Sequence, residues 1–290
     1  MGSLSGAVLL FALFVLIEQR AAEPLIPLDL FRIPALRATA VITTFLGMSM
    51  FGVLSFLPLY GRTVLGETAT GAGRILIPLM LAMMVGSAGG ARLVLQVGFR
   101  AIVTAGAALV VLGTYLLTRL TIDSGQLELS GYLIVIGLGM GLVFMSTALA
   151  AQNSVNLPRM GIATGLVNFT RQLGGAVGVA IAASVMLTSL DSRLSDAFGG
   201  VDVDAQQVLA PTTGSQPIPA GTRDPVADAF AGALHRTFWV AVFVAAIGLA
   251  CTVLMPRGTA ARIRDEARGD AELDSLSPEG ETLTLGAPPV

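Results

Sequence analysis

The residue best placed to do chemistry is an arginine inside an apolar stretch. Arg171 lies in GIATGLVNFTRQLGGAVGVAIAASVML, between the polar side chains of Asn168 and Gln172. A charge inside a membrane-crossing stretch is expensive, so it favours a function. Two roles remain open. The guanidinium lines a polar pathway and contacts a bound small molecule, or it extends to the membrane surface or bonds to carbonyls and a distant carboxylate.

Glycines recur in the same stretch. They are Gly165, Gly174, Gly175 and Gly178. Small residues at helical spacing let a second helix approach closely inside a membrane. The row therefore predicts tight helix packing, and two interpretations stay open: packing alone, or packing that also gates a conformational change.

A second apolar stretch carries Thr44, Met48 and Phe51. Adaptable methionines and flat aromatic rings suit a pocket for varied apolar molecules. They suit a lipid-facing surface equally, and both interpretations remain open. With Arg171, Asn168 and Gln172, these three residues form the predicted substrate pathway.

Several chemistries are excluded by the residues the chain lacks. It has one histidine (His235) and one cysteine (Cys251), and all 17 of its basic residues are arginine. HExxH, CxxC and GxxxxGK patterns are absent. We therefore predict no enzyme, no catalytic residue, no cofactor and no metal. The net charge of -2 indicates no nucleic-acid partner.

Composition indicates an all-α integral membrane protein. Hydrophobic residues make up 54% of the chain and charged residues 12%, against about a quarter charged in soluble domains. Apolar stretches predict seven transmembrane helices, the first of them short: Leu4–Ile17, Thr39–Tyr60, Ile75–Val94, Ala101–Leu120, Leu129–Ala151, Ile162–Leu187 and Thr237–Met255. About 20 apolar residues suffice to cross a bilayer.

Arginine placement predicts the orientation. With the N-terminus outside and the C-terminus in the cytoplasm, ten arginines fall in cytoplasmic segments and six in external ones, as the positive-inside rule requires. We therefore expect a multi-pass protein of the cell (inner or plasma) membrane.

The segments between the spans complete the predicted organisation. Residues 1–17 form a truncated linker helix, 18–37 a cytoplasmic linker lying along the membrane surface, and 38–256 a six-helix unit. That unit contains an external loop at 188–236, with room for a short helix at each end. Residues 257–290 are acidic and proline-rich toward the end, which is typical of a disordered tail.

Three features together resemble the C-terminal half of fourteen-helix drug:proton antiporters of the major facilitator superfamily (the EmrB/QacA type). EPLIPLDLFR resembles the linker that enters that half. ARLVLQVGFR resembles the superfamily's cytoplasmic loop motif GxLaDrxGrk through Leu93, Gly98 and Arg100, with Ala91 in place of its first glycine and Leu95 in place of its aspartate. Arg92 and Arg100 would hold this loop on the cytoplasmic side. Gly165, Gly174 and Gly178 match the spacing of the superfamily's antiporter motif, with Val179 in place of its proline.

The resemblance implies a part of a secondary active exporter of hydrophobic or amphiphilic small molecules, that is, multidrug efflux and antibiotic resistance. The expected partners are the lipid bilayer, a small hydrophobic substrate and an N-terminal transporter half. That half would hold the coupling carboxylate, since no Asp or Glu is central in any apolar stretch here. The alternatives are a truncated, inactive half-transporter and an exporter of one natural product.

Overall fold

The structure, a computed structural model, describes residues 28–63, 66, 68–121, 124–197 and 223–255. These residues form helices and no β-strand. The α-helices are α1 (Pro34–Leu54), α2 (Leu57–Thr63), α3 (Ala69–Arg74), α4 (Ile77–Val97), α5 (Phe99–Leu117), α6 (Gln126–Asn153), α7 (Met160–Ala197) and α8 (Arg223–Cys251). Short 3-10 helices cover Leu28–Arg32, Leu157–Arg159 and Thr252–Leu254.

Six helical segments in the described ranges are long and apolar enough to cross a membrane. They are α1 with α2, then α4, α5, α6, α7 and α8, and they coincide with the last six predicted spans. The all-α membrane class is therefore confirmed. The additional predicted span, Leu4–Ile17, and the tail 257–290 lie outside the described residues, so the count of seven stays a prediction.

The predicted span Thr39–Tyr60 contains a break. Helix α1 ends at Leu54, and α2 starts at Leu57. Proline has no N–H to donate, and its ring clashes with the carbonyl four residues earlier. Pro58 would meet the carbonyl of Leu54 in this way. The interruption at residues 55–56 therefore has a local cause in the sequence.

The segment predicted as an external loop, 188–236, is helical at both ends, where the prediction left room for a short helix. Helix α7 continues to Ala197, and α8 begins at Arg223. Hydropathy locates the part of a helix that crosses the bilayer, but backbone hydrogen bonds continue a helix into polar sequence beyond it. Similarly, α1 begins at Pro34 inside the predicted linker 18–37.

The spans pack as two interlocked sets. Helix α1 packs against α7 and α8, and α6 packs against α4 and α5. If the first three spans (α1, α4, α5) are exchanged in order for the last three (α6, α7, α8), the α1–α7 contact becomes the α6–α4 contact. In the same way the α1–α8 contact becomes the α6–α5 contact, and the α5–α8 contact maps onto itself. This is the pattern of an internal repeat, the construction principle of many transporter folds.

The linker does not lie on the surface at Leu30. That side chain is 1% exposed, in a small core with Leu36, Ala151, Ala163, Leu166 and Val167. The 3-10 helix Leu28–Arg32 therefore inserts an apolar residue among α1, α6 and α7. The sequence predicted a segment along the membrane surface because this linker carries several apolar residues, and their presence alone does not show which helices would cover them.

Candidate functional site

Helices α1 and α7 touch through their backbones at three glycines. A Cβ on Gly174 would collide with the carbonyl oxygen of Thr44, and one on Gly178 with the carbonyl oxygen of Met48. From the other side, a Cβ on Gly47 would lie 2.6 Å from the carbonyl oxygen of Arg171. Only glycine leaves this space open, so the contact fixes the backbone of Arg171 against α1.

Threonine hydroxyls lie beside this contact. The Oγ1 atoms of Thr43 and Thr170 are 3.2 Å apart, and Thr44 Oγ1 donates to the carbonyl of Thr170 at 3.3 Å. Thr43 and Thr170 are buried. Each hydroxyl also donates to a carbonyl of its own helix, so the polar groups are satisfied in the absence of water.

The side chain of Arg171 is half-buried and held by two neighbours. Its Nη2 donates to Asn168 Oδ1 at 2.6 Å, and its Cζ lies 4.3 Å from the ring centroid of Phe144 on α6. Both distances suit a strong hydrogen bond and a cation–π contact. A guanidinium carries five N–H donors, and no carboxylate of the described residues forms a salt bridge with it.

Arg171 borders a face of α7 on which no other described helix packs. Asn168 and Gln172 are exposed there, so the structure places all three predicted polar residues together. The remaining exposed residues of this face are apolar: Ile162, Phe169, Leu173, Val177 and Ile181. Polar groups at mid-span are costly against lipid. This part of α7 is therefore suited to a polar path or to protein.

Thr44, Met48 and Phe51 lie at the same α1–α7 contact rather than around a large pocket. A Cβ on Gly175 would lie 2.5 Å from Phe51 Cδ2, which places the phenyl ring over this glycine. The cavity beside Met48, Gly178 and Ile181 measures about 10 Å³. That volume holds one water molecule at most, so these side chains pack the helices together in this arrangement.

Gly165 stands apart from the other three predicted glycines. A Cβ there would meet no described atom within 4 Å, so close packing among the described helices does not extend to it.

The predicted loop motif is a tight turn between α4 and α5. Gly98 has φ of 88°, in the region that favours glycine. Arg92 is exposed and Arg100 half-buried near this turn.

Known proteins of similar sequence decide the family. A model of the Major Facilitator Superfamily matches residues 1–179. The chain belongs to this superfamily. It is therefore a multi-pass membrane protein of a transporter family, not of an enzyme family, as predicted.

Relatives of this Major Facilitator chain include named exporters. An uncharacterized MFS-type transporter of Mycobacterium tuberculosis is 31% identical over 92% of the chain, which covers 39% of that relative. Multidrug transporter protein MdtP of Bacillus subtilis is 32% identical, over 63% of the chain and 34% of that protein. The Tetracenomycin C resistance and export protein of Streptomyces glaucescens is 32% identical, over 68% and 36%. The chain thus spans little more than a third of these relatives.

Sequence reasoning missed two contributors to the site. Gly47 was not singled out, although it follows Thr43 and Thr44 at helical spacing and could have been found from that pattern. Phe144 lies on a different helix, 27 positions from Arg171 in the chain. No local pattern links the two residues, because their contact depends on how α6 packs beside α7.

Proposed function

We propose that the chain forms the C-terminal half of a fourteen-helix drug:proton antiporter that exports hydrophobic or amphiphilic small molecules. One observation carries the proposal: Arg171, Asn168 and Gln172 form a polar patch at mid-span on an exposed and otherwise apolar face of α7. A patch of this kind suits a substrate pathway and would be costly against lipid. The name of MdtP, a multidrug transporter, supports the same class of activity.

An N-terminal half is the proposed occupant of the exposed helix faces. In addition to the α7 face, α4 exposes Ile77, Met80, Leu81, Met84 and Val85 at helical spacing. The side chain of Met84 is 74% exposed. The relatives are more than twice as long as the matched part of this chain, which is enough for another set of helices. We expect that half to cover α4 and α7 and to enclose the pathway.

Proton coupling is assigned to that other half. The sequence has no Asp or Glu between Glu128 and Asp191, nor within α1, α4 or α5. Glu128 lies at the first turn of α6, where it accepts a hydrogen bond from Tyr132. A proton-coupled carrier needs a titrating group within the membrane. We therefore expect the N-terminal half to supply the carboxylate.

A chimaera tests this proposal. The chain replaces the C-terminal half of Bacillus subtilis MdtP, and efflux of the neutral dye N-phenyl-1-naphthylamine is measured in cells without their own pumps. We expect the chimaera to export the dye with a dependence on the pH gradient, and the chain alone to export none. Gradient-driven export by the chain alone would contradict the assignment of coupling. A folded chimaera at the membrane that exports none of the dyes would contradict the assignment as a multidrug exporter.

Export of one natural product is the second candidate, since one relative is a tetracenomycin C export protein. The same cells distinguish the two candidates. A multidrug exporter moves several unrelated hydrophobic dyes at comparable rates, whereas a dedicated exporter moves none of them well. An inactive half-transporter, the remaining alternative, exports nothing even when joined to the MdtP half.

A further inference from the structure

We propose that the substrate carries an anionic group and that this group is bound by the guanidinium of Arg171 beside the ring of Phe144. This inference rests on the proposed transport function and narrows its substrate class to amphiphilic organic acids. The basis is a charge balance that can be read from the residues around the site.

The first step is the unmatched charge. Arg171 is the one ionisable residue in the central part of α7, and α6 has no acid beyond Glu128 in its first turn. The guanidinium of Arg171 donates a hydrogen bond to the neutral amide oxygen of Asn168. An amide orients a guanidinium without neutralising it, and a charge inside a membrane protein normally pairs with an opposite charge. An anionic ligand would supply that pair.

The second step is accessibility. Asn168, the hydrogen-bond partner of Arg171, lies on the exposed face of α7, and so does Gln172. The guanidinium therefore extends toward the side from which a ligand can approach. The rest of its donors suit a carboxylate or sulfonate, because planar guanidinium groups bind such anions with two parallel hydrogen bonds.

The third step is the shape of the surroundings. Phe144 covers one face of the guanidinium at 4.3 Å, and Phe169 and Leu173 are exposed on the neighbouring part of α7. Apolar side chains next to a single cation fit a molecule with a flat hydrophobic body and one acidic group. A cationic drug would bring a second positive charge toward Arg171, and no acid of the described residues forms a salt bridge with Arg171 that could offset it.

A matched pair of dyes separates the charge from the hydrophobic body. The anion 1-anilinonaphthalene-8-sulfonate and the neutral N-phenyl-1-naphthylamine share one aromatic skeleton and differ by the sulfonate. Binding to the purified chain in lipid nanodiscs is measured for both dyes, with empty nanodiscs subtracted. For Arg171→Gln we expect the affinity for the sulfonate to fall about tenfold or more, the typical loss for a charge-assisted hydrogen bond. The affinity for the neutral dye should change less than about twofold, because it lacks the group that such a bond requires.

Arg119 provides the matched control. Like Arg171, it donates a hydrogen bond to a nearby residue of the same chain segment and lies over an aromatic ring. Both partners are Tyr115, whose ring centroid is 5.4 Å from Arg119 Cζ. It is exposed two residues beyond the end of α5. Arg119→Gln should leave both affinities unchanged, which excludes a general effect of net charge.

Several outcomes of the dye-binding experiment would contradict the inference. An unchanged affinity of Arg171→Gln for the sulfonate would overturn the inference, and so would an equal loss for both dyes, which would indicate a role in folding. Wild-type chain that binds the neutral dye but not the sulfonate would also overturn it while leaving the transport proposal intact. Wild-type chain that binds neither dye would contradict both.

Discussion

Two helix pairs hold this bundle together by the same backbone contact, yet one of them carries a charge. In the α1–α7 pair, Gly174 faces the carbonyl of Thr44, and Gly47 faces the carbonyl of Arg171. In the α4–α6 pair, Gly86 faces the carbonyl of Leu138, and Gly141 faces the carbonyl of Met83. The two contacts correspond residue by residue, and Met83 occupies the place of Arg171.

The difference lies in side chains, not in backbone packing. Around Met83 the neighbours are apolar, with Ser87 as a nearby hydroxyl that donates to the carbonyl of Met83 at 2.8 Å. Around Arg171 they are Asn168, Phe144 and the threonines of α1 and α7. Close packing therefore does not need the arginine, because an equivalent contact forms with methionine. The charge must be explained by something other than helix packing.

The largest effect is expected from filling the glycine contacts. Gly174→Leu and Gly86→Leu each place a side chain where a carbonyl oxygen of the facing helix lies. Overpacking of this kind costs about 1–3 kcal/mol and sometimes more, so both variants should lose most of their folded protein. The yield of monodisperse protein in size-exclusion chromatography measures this.

Gly165→Leu is the control for both substitutions, because no described atom lies within 4 Å of its Cβ position. It should retain the wild-type yield. A Gly174→Leu protein that folds but no longer transports, beside a Gly86→Leu protein that fails to fold, would contradict equal structural roles. It would identify the α1–α7 contact as a gate.

The next largest effect is expected from Arg171→Met, which gives α7 the side chain found at the equivalent place in α4. Yield and thermal stability should stay near wild type, because the α4–α6 contact tolerates methionine there. In the chimaera with the MdtP half, efflux of the anion 1-anilinonaphthalene-8-sulfonate should fall about tenfold or more, in line with the loss of a hydrogen bond to a charged group. Dye efflux from cells measures this, and normal efflux would show that Arg171 is not part of the pathway.

The sequence predicted the glycine contact of one helix pair but not that of the other. Gly174 and Gly178 were predicted because their spacing stood beside an intramembrane charge. The equivalent glycines of α4 and α6 were not, although Gly86 and Gly90, like Gly137 and Gly141, have the same spacing. Spacing shows that a helix can be approached closely but not which helix approaches it. The burial of Leu30 and the position of the Phe51 ring over Gly175 could not be predicted for the same reason, because both depend on which helices pack together.

A smaller effect is expected from Phe144→Leu, which removes the ring beside the guanidinium. Cation–π contacts contribute about 0.5–2 kcal/mol depending on solvent exposure. The affinity of the chain for 1-anilinonaphthalene-8-sulfonate should therefore fall severalfold, less than for Arg171→Gln. Met140→Leu, on a buried turn of the same helix, is the matched control and should leave the affinity unchanged. A loss larger than that of Arg171→Gln would indicate that the ring itself binds the ligand.

The smallest effect is expected from removing the hydroxyl groups that lie beside the two glycine contacts. Thr43→Val removes an Oγ1 that lies 3.2 Å from Thr170 Oγ1 but also donates to the carbonyl of Thr39 at 2.8 Å. Ser87→Ala removes an Oγ that donates to the carbonyl of Met83 and reaches that of Gly141 at 3.4 Å. Side-chain hydrogen bonds between membrane helices average about 0.6 kcal/mol. Each hydroxyl bonds mainly within its own helix. The free energy of unfolding of both variants, measured in denaturant, should therefore differ from that of wild type by no more than about 0.6 kcal/mol. A much larger loss for Thr43→Val alone would mean that hydroxyls, rather than the glycine backbone contacts shared by both pairs, hold α1 against α7.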